Sequence, residues 1–278
     1  MKLIADSGST KTSWLLLAGE NTLQAFETIG MNPFFISEDE VIDALETNLR
    51  PDVIPNIKEV HFFGAGCSTL EKAEWLQDVI QKTIPNAEIN IKTDIEGAVL
   101  SVANQGEKSI VSILGTGSSF RIFDGENIIK KYSSLGYIVG DEGSGTHISK
   151  ALLRKVMYGQ CSEFIQFDFY QFFDTNYDEI IANIYTKPFP NRYLAQFTTF
   201  CSRHIASPEI EQIVLDSFEE NIKTHILNIP NAKEFKLHFV GSIAFHFKPQ
   251  LEKVLAKHNL QLGNIVQKPI HFLARKLK

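Results

Sequence analysis

The sequence predicts an α/β protein with two related domains that face one cleft. Apolar strand-like runs alternate with amphipathic helical segments, which is typical of parallel strand pairing. A unit of strand, Gly-containing turn and returning strand occurs at the N-terminus and again near residue 109. The length of 278 residues suits two domains of ordinary size, so we predict domains at 1–105 and 106–278.

The first domain is expected to open with a β-hairpin. The apolar runs Lys2–Ala5 and Ser13–Ala18 flank a turn at Gly8 and Ser9. This hairpin differs from the Gly-x-x-x-x-Gly-Lys-Ser/Thr loop, because it would present a phosphate to a β-turn and not to a helix N-terminus. The segments that follow are predicted to be helices at Glu38–Leu49, Thr69–Thr83 and Ile95–Ala103, and strands at Val60–Phe63 and Ala87–Lys92.

The second domain is expected to repeat the hairpin and then to become mostly helical. Asp124-Gly125 is a turn pair typical of the connection between two antiparallel strands. The predicted strands are Ser109–Leu114, Phe120–Phe123, Ile128–Tyr132 and Lys236–Val240. Helices are predicted at Ser144–Met157 and Lys248–His258, one or two helices at Ala206–Leu227, and an aromatic-rich helical segment at Phe164–Tyr185.

Charge and composition exclude several classes of protein. A net charge of −6 and a pI of 5.8 give no basic footprint for nucleic acid. No stretch approaches the ~20 apolar residues of a membrane span, and the N-terminus reaches Asp6 too soon for a signal peptide. The three cysteines are widely spaced, which argues against a disulfide framework or a zinc site. We therefore expect a cytoplasmic protein without nucleic-acid or membrane partners.

Three distant segments together indicate a phosphate-handling site: Asp6–Thr12, Leu114–Ser119 and Gly140–Gly145. Each places Gly and small hydroxyl residues beside an apolar run. Gly-rich turns let backbone N–H groups approach phosphate oxygens, because no Cβ intervenes. The carboxylates Asp6 and Asp141 can hold a hydrated Mg²⁺ ion. The combination predicts nucleotide binding with phosphoryl transfer.

Particular side chains can be given roles in such a reaction. The hydroxyls of Thr10 and Thr116 are expected to bind phosphates, and Lys11 can add a positive charge, although a solvated hairpin lysine is the alternative. Gly241-Ser242, after the last predicted strand, offers a floor for adenine or ribose. The alternative there is an ordinary turn from strand to helix.

The nucleophile, if it is a hydroxyl, needs a base. Asp94 lies between a predicted strand and a predicted helix, so its carboxylate can accept that proton. The alternative is that Asp94 merely caps the helix. Asn32 has both a donor and an acceptor, which suits a sugar hydroxyl, but a turn asparagine before proline is also ordinary. His147 can touch a ligand, although a structural histidine is the favoured interpretation.

These motifs resemble the sugar-kinase, Hsp70 and actin superfamily over essentially the whole chain. The branch they resemble is that of the N-acetylglucosamine kinases, which is grouped with the BadF/BadG-type ATPases. The most specific match is the branch signature at Leu135–Ser144. The others are the first phosphate loop at Asp6–Thr12, the second at Leu114–Ser119 and the adenosine motif at Val240–Ser242.

The resemblance implies two ribonuclease-H-like (actin-like ATPase) domains around a central cleft that closes over ATP and a sugar. Asp94 then matches the catalytic base that takes the proton from the sugar 6-hydroxyl, and Asp6 matches the acidic residue near Mg²⁺. The residues matched to the nucleotide are Gly8, Ser9, Thr10, Lys11, Thr116, Gly117, Gly241 and Ser242. Those matched to the sugar are Asn32, Asp94, Ser118, Ser119, Gly136 and Asp141.

The chain departs from the family pattern at two places. Its C-terminal segment lacks the usual Gly-Ala-rich closing helix, which bears on the adenine pocket. Leu135 takes the position of a tryptophan that is common in the signature segment, which bears on sugar preference.

The leading hypothesis from the sequence is an ATP-dependent kinase acting on the 6-hydroxyl of an amino sugar, with N-acetylglucosamine first. Glucosamine or N-acetylmuramic acid is the alternative substrate. A BadF/BadG-type ATPase that drives electron transfer would need Cys-ligated clusters, which the isolated cysteines do not favour. A sugar sensor without turnover is a further alternative. The resemblance also allows a homodimer.

Overall fold

The computed structural model describes residues 1–8, 10–131 and 134–277. The chain divides into two compact units. Unit 1 consists of Met1–Ala103 together with the segment from Lys268 onward, and unit 2 consists of Asn104–Gln267. The terminal segment was expected in the second domain. It belongs to unit 1 instead, because its apolar side chains pack on the first sheet.

Each unit is built on a five-stranded mixed sheet. The orders are β3-β2-β1-β4-β5 and β10-β9-β6-β7-β8, and in each sheet the first three strands in sequence are antiparallel while the last two add in parallel. The two sheets therefore share one topology, and the α/β class is confirmed. The strands are β1 (Lys2–Ser7), β2 (Lys11–Ala18), β3 (Asn21–Ile29), β4 (Glu59–Gly64), β5 (Glu88–Thr93), β6 (Ser109–Leu114), β7 (Ser118–Phe123), β8 (Ile128–Lys131), β9 (Lys236–Val240) and β10 (Gln261–Val266).

Helices connect and cover these strands. Their bounds are α1 (Glu38–Asn48), α2 (Leu70–Thr83), α3 (Asp94–Val102), α4 (Gly136–Val139), α5 (Gly145–Met157), α6 (Glu163–Phe173), α7 (Tyr177–Tyr185), α8 (Pro190–Ala195), α9 (Thr198–Arg203), α10 (Pro208–Asn221), α11 (Ser242–His246), α12 (Lys248–Lys257) and α13 (Ile270–Lys276). Short 3₁₀ turns at Ile54–Asn56 and Ala232–Glu234 and a π-helical turn at Ile222–Ile226 complete the elements.

The sheet of unit 1 is buried on both faces, because residues alternate between faces along each strand. Leu3 and Ala5 pack with buried residues of α1 and α2. Ile4 faces the other way and packs with Ile270 and Leu273 of α13. A closing helix is thus present, although it is short and lacks the Gly-Ala-rich composition of the family pattern.

Unit 2 buries a large aromatic cluster on its helical side. The rings of Phe169 and Phe173 lie 5.2 Å apart between centroids, and each lies 4.8–6.3 Å from the rings of Phe197 and Phe200. The segment predicted to be helical over Phe164–Tyr185 forms two helices, α6 and α7. Asp174 ends α6 in a left-handed conformation (φ 45°), which no continuous helix can include.

Glu219 links α10 to the end of α12. Its Oε1 atom lies 3.1 Å from Lys223 Nζ, 3.2 Å from Lys257 Nζ and 3.0 Å from His258 Nε2. Burial opposes ionisation of this carboxyl, but the three hydrogen bonds outweigh burial and lower its pKa to about 2.

We expect Glu219→Gln to lower the free energy of unfolding of unit 2 by about 1–2 kcal/mol at neutral pH. Because the folded pKa lies below the ordinary value of 4.5, this stabilisation is complete above pH 4.5 and is lost as the pH falls towards 2. Urea titrations at several pH values measure the difference. Glu252→Gln, which removes a 3.7 Å pair on exposed α12 residues, is the control and should change little. A pH-independent difference would contradict the assignment.

Among the described residues, no helix is both long enough and apolar enough to cross a membrane.

Candidate functional site

In unit 1 the predicted catalytic carboxylates lie at one edge of the sheet. The register pairs Ser7 with Gly64 and Gly64 with Thr93, so the carboxyl ends of β1, β4 and β5 coincide. Asp6 precedes that end of β1, and Asp94 follows that end of β5. The topology therefore brings these two carboxylates to the same edge from opposite ends of the first hundred residues.

The first Gly-containing turn is held by hydrogen bonds on both sides. Gly8 N–H donates to the Lys11 carbonyl, and Gly30 N–H donates to the Thr10 carbonyl, both at 3.0 Å. The turn is thereby tied to the segment after β3, which carries Asn32. The predicted phosphate ligand Ser9 lies outside the described residues, while the side chains of Thr10 and Lys11 are exposed.

Two buried hydroxyls beside this turn, those of Ser7 and Thr12, were given no role from the sequence. Ser7 Oγ and Thr12 Oγ1 hydrogen-bond at 2.8 Å. Met31 N–H donates to Ser7 Oγ at 3.0 Å, and Thr12 Oγ1 donates to the Ile29 carbonyl at 3.0 Å. Their signal in the sequence is weak, because small hydroxyl residues around a turn are also expected to bind phosphate directly.

Asn32 is buried and fixed by its neighbours. Its Oδ1 atom accepts a hydrogen bond from Phe34 N–H at 3.0 Å. Gly66, which follows β4 with φ 85°, lies so close that a Cβ there would be 2.3 Å from Asn32 Oδ1. Only glycine satisfies both the backbone angle and this contact. Gly66 is thus a positioning residue for Asn32 that the sequence did not single out.

Asp94 is the first residue of α3, and the capping role belongs to its neighbours. Thr93 is the N-cap, its side chain accepts the Glu96 N–H, and Glu96 bonds back to the Thr93 N–H at 2.9 Å. Asp94 Oδ1 accepts the Ile95 N–H at 2.8 Å. A carboxylate at a helix N-terminus is stabilised by the exposed N–H groups and the helix dipole. The N-cap of α3 is therefore Thr93 and not Asp94.

The electrostatics of Asp6 reflect its crowded edge. Burial, followed by the nearby charge of Asp94, raises the pKa of Asp6 to about 7, while the charge of Lys268 opposes the rise. Burial of Cys67, with a contribution from Asp94, raises the pKa of that thiol to about 12. Cys67 is thus an inert buried thiol within the electrostatic reach of Asp94.

Lys11 does not extend alone into solvent. Its Nζ atom lies 3.1 Å from Glu27 Oε2, and Lys268 Nζ lies 2.7 Å from Glu27 Oε1. Sequence reasoning missed both Glu27 and Lys268, which are separated by 241 residues.

In unit 2 the second Gly-containing turn sits against the start of α5. Gly115 N–H donates to the Gly117 carbonyl at 3.0 Å, which closes the turn. Gly145 N–H donates to the Gly115 carbonyl at 2.8 Å, and Thr146 N–H donates to the Thr116 carbonyl at 3.1 Å. The second and third predicted phosphate segments are therefore brought together in space.

Asp141 connects this turn to the signature segment. It is buried and left-handed (φ 58°), and its Oδ1 accepts Ser118 N–H at 3.2 Å and Ser134 Oγ–H at 2.8 Å. Ser134 Oγ in turn accepts the Gly136 N–H at 3.0 Å. A Cβ on Gly117 would lie 2.7 Å from Asp141 Oδ2, so glycine is needed there. Four of the predicted sugar residues thus share one region, since Ser119 follows Ser118 in β7.

Ser118 and Ser119 are neighbours in a strand, so their side chains leave opposite faces. Both can contact one ligand only if one of them does so through its backbone.

His147 Nδ1 hydrogen-bonds to Ser217 Oγ at 2.7 Å, in keeping with the structural interpretation of that histidine.

Gly241 completes the group in unit 2. Its backbone has φ 119°, and a Cβ there would lie 2.4 Å from the Leu114 carbonyl oxygen at the end of β6. Its N–H donates to the Val266 carbonyl at 2.8 Å, and Ser242 begins α11 directly after it. The predicted adenosine segment therefore touches the second phosphate turn through a position that only glycine can occupy.

Comparison with known proteins agrees with this architecture. No family model matches the chain, and no curated protein matches it. A solved structure of a candidate N-acetylglucosamine kinase from Porphyromonas gingivalis has 36% identity and a TM-score of 0.93, covering 99% of this chain and 98% of that one.

Two more distant structures share the fold alone. A candidate N-acetylglucosamine kinase from Chromobacterium violaceum has 18% identity and a TM-score of 0.72, covering 100% of this chain and 98% of that one. A ROK-family glucokinase from Streptomyces griseus, in complex with glucose and AMPPNP, has 13% identity and a TM-score of 0.61, covering 99% and 98%.

The grouping with BadF/BadG-type ATPases stays a prediction, because no family model matches. The sugar-kinase resemblance, in contrast, is confirmed by a relative that is similar over the full length of both chains. The chain belongs to the N-acetylglucosamine kinase family of the sugar-kinase fold.

Proposed function

We propose that this protein transfers the γ-phosphoryl group of ATP to the 6-hydroxyl of an amino sugar, with N-acetylglucosamine as the first candidate. The observation that carries the proposal is the full-length similarity, at 36% identity, to the Porphyromonas gingivalis protein. It is supported by a carboxylate at a helix start, Asp94, whose capping role is already taken by Thr93.

The proposed chemistry uses few groups. The sugar hydroxyl oxygen attacks the γ-phosphorus, the bond from that phosphorus to the ADP oxygen breaks, and the hydroxyl proton passes to the Asp94 carboxylate. Asn32, Ser118, Ser119, Gly136 and Asp141 would orient the sugar. Positioning and charge stabilisation account for most of the rate in such transfers.

The nucleotide would be held by turns that only glycine can form. Because Gly117 and Gly241 have no Cβ, the backbone at these two positions can come close to a phosphate. Gly8, Ser9, Thr10, Lys11, Thr116 and Ser242 complete the proposed nucleotide residues.

The residues of unit 1 also fit a magnesium ion. Mg²⁺ usually keeps several waters and takes one or two protein carboxylates plus phosphate oxygens. Asp6, at the sheet edge and within the electrostatic reach of Asp94, supplies such a carboxylate. When bound, the ion would neutralise charge on the transferring phosphates.

The test is ADP release from Mg-ATP across a panel of N-acetylglucosamine, glucosamine, N-acetylmuramic acid, N-acetylmannosamine and glucose. We expect turnover that depends on N-acetylglucosamine, with the product identified as the 6-phosphate by ³¹P–¹H NMR correlation. Turnover with another sugar would change the substrate and keep the kinase. ATP hydrolysis independent of sugar would favour an ATPase, and sugar binding without turnover would favour a sensor.

We further propose a homodimer that works in the cytoplasm. The family resemblance supports the dimer, and the buried free thiols Cys67, Cys161 and Cys201 suit a reducing compartment. Sedimentation at several protein concentrations measures the state of assembly, and a single species with the mass of one chain would overturn the dimer.

A further inference from the structure

The first phosphate turn is accompanied by a cluster of two lysines and one glutamate, Lys11, Glu27 and Lys268. Lys11 Nζ lies 3.3 Å from Glu27 Oε1 and 3.1 Å from Oε2, and Lys268 Nζ lies 2.7 Å from the same Oε1. These contacts lower the pKa of Glu27 to about 2, so the carboxylate is ionised. One negative charge therefore serves two ammonium groups, and the cluster keeps a net positive charge.

The strand register places this cluster on the same face of the sheet as Asp6. Asp6 pairs with Ser13, and Ser13 pairs with Glu27, so the three residues form one row across β1, β2 and β3. Directly paired residues point to the same face of a sheet. Lys11 lies two residues before Ser13 and shares that face.

Lys268 reaches this row from the segment that leads into α13. That helix packs on Ile4, which shares its face with Asp6 two residues later. The charge of Lys268 also acts on the Asp6 carboxyl, because it lowers the pKa of Asp6 against the rise caused by burial and by Asp94. The C-terminal segment thus places the Lys268 ammonium group at the sheet edge where Asp6 and the first Gly-containing turn lie.

We propose that Lys268 is a second phosphate-binding cation of the first turn, acting with Lys11, and that Glu27 holds both ammonium groups while no nucleotide is bound. The inference rests on the proposed ATP-dependent function. An exposed ion pair that only anchors the C-terminal segment would contribute little to stability.

The proposal predicts different effects on nucleotide binding for two substitutions in the same cluster. Lys268→Met removes a phosphate-binding charge, so the Kd for phosphate-rich nucleotides should rise about three- to tenfold. Glu27→Gln removes the competitor for both ammonium groups, so the same Kd should fall or stay unchanged. A purely structural role predicts instead that either substitution weakens binding, because each breaks the same cluster.

The experiment is titration calorimetry of the full chain with AMP, ADP and AMPPNP in the presence of Mg²⁺. The effect of Lys268→Met should grow with the number of phosphates and be less than about twofold for AMP. Lys268→Arg keeps the charge and should stay within about twofold of the wild type for all three. Because exposed charges are screened by salt, the difference should shrink in 1 M NaCl.

Lys2→Met is the matched control. Lys2 lies 3.4 Å from Glu59 and donates to the Leu277 carbonyl, so it also anchors the C-terminal segment, but it lies at the other end of β1. It should leave all three Kd values unchanged. Thermal melting checks that each variant folds, and Lys268→Gln serves as the second charge-removing variant.

Each remaining outcome counts against the proposal in a distinguishable way. Equal losses with Lys268→Met and Lys2→Met would make Lys268 an anchor only. Unchanged AMPPNP binding in Lys268→Met and Lys268→Gln, with normal binding in the wild type, would remove Lys268 from the site and leave the proposed kinase intact. Failure of the wild type to bind AMPPNP would overturn the proposed function and this inference together.

Discussion

Asp94→Asn is expected to lower kcat about 10²–10⁴-fold, the usual scale of general-base loss. Asparagine cannot take the proton of the attacking hydroxyl at neutral pH. It does retain an Oδ1 atom that can accept the Ile95 N–H, and the Thr93–Glu96 cap is untouched. The fold and the binding of ATP and sugar should therefore persist. The measurement is steady-state kinetics with the best sugar of the panel, paired with calorimetric Kd values for both substrates.

Asp39→Asn provides the control for this comparison. Asp39 lies in the first turn of α1, so the same chemical change is made at a helix start in the same unit, on an exposed side chain. Its kcat should match that of the wild type. Full turnover by Asp94→Asn would remove Asp94 from the role of base, and a parallel loss of sugar affinity and turnover would make it a binding residue.

Gly241→Ala is expected to destabilise unit 2 by about 2–4 kcal/mol and to weaken AMPPNP binding at least tenfold. The alanine Cβ would lie 2.4 Å from the Leu114 carbonyl oxygen and 2.9 Å from its carbonyl carbon. Both atoms belong to the backbone of β6, so relief requires the strand and the second Gly-containing turn to move. The backbone angle of φ 119° adds strain for any residue with a side chain.

Gly106→Ala separates strain from steric overlap. Gly106 lies in the same unit with φ 77°, and a Cβ there meets no atom within 4 Å. Its cost should be about 1 kcal/mol, from the left-handed angle alone. Urea unfolding compares the two variants. Equal destabilisation would show that the contact with Leu114 is relieved easily, and the conclusion that only glycine can occupy position 241 would be wrong.

The hairpins and their turns could be predicted from sequence because glycines and apolar runs act locally. The strands that escaped prediction carry mixed patterns. β3 is an edge strand with exposed polar residues, and β10 contains Gly263, where a Cβ would lie 2.5 Å from the buried His238 ring. That glycine interrupts the apolar run for a tertiary reason that no local pattern reveals.

In the candidate site, too, residues with a local signal could be predicted from the sequence, and residues defined by distant contacts could not. Asp94 was accessible to sequence reasoning because a carboxylate between a strand and a helix is a local signal. The contacts of Gly66 with Asn32 and of Lys268 with Glu27 depend on pairing between distant segments. Ser134 was missed because a lone serine gives no signal until its bond to Asp141 is seen.

The return of the chain to unit 1 also sets an order of events during synthesis. Unit 2 is continuous in sequence, so it can fold as soon as residue 267 has left the ribosome. Unit 1 must wait for α13, whose Ile270 and Leu273 cover one face of its sheet. At about 5–20 residues per second, the first hundred residues remain incomplete for on the order of ten seconds after they are made. During that interval the apolar face of Ile4, Leu15 and Leu17 is open, which makes the nascent chain a candidate client for chaperones.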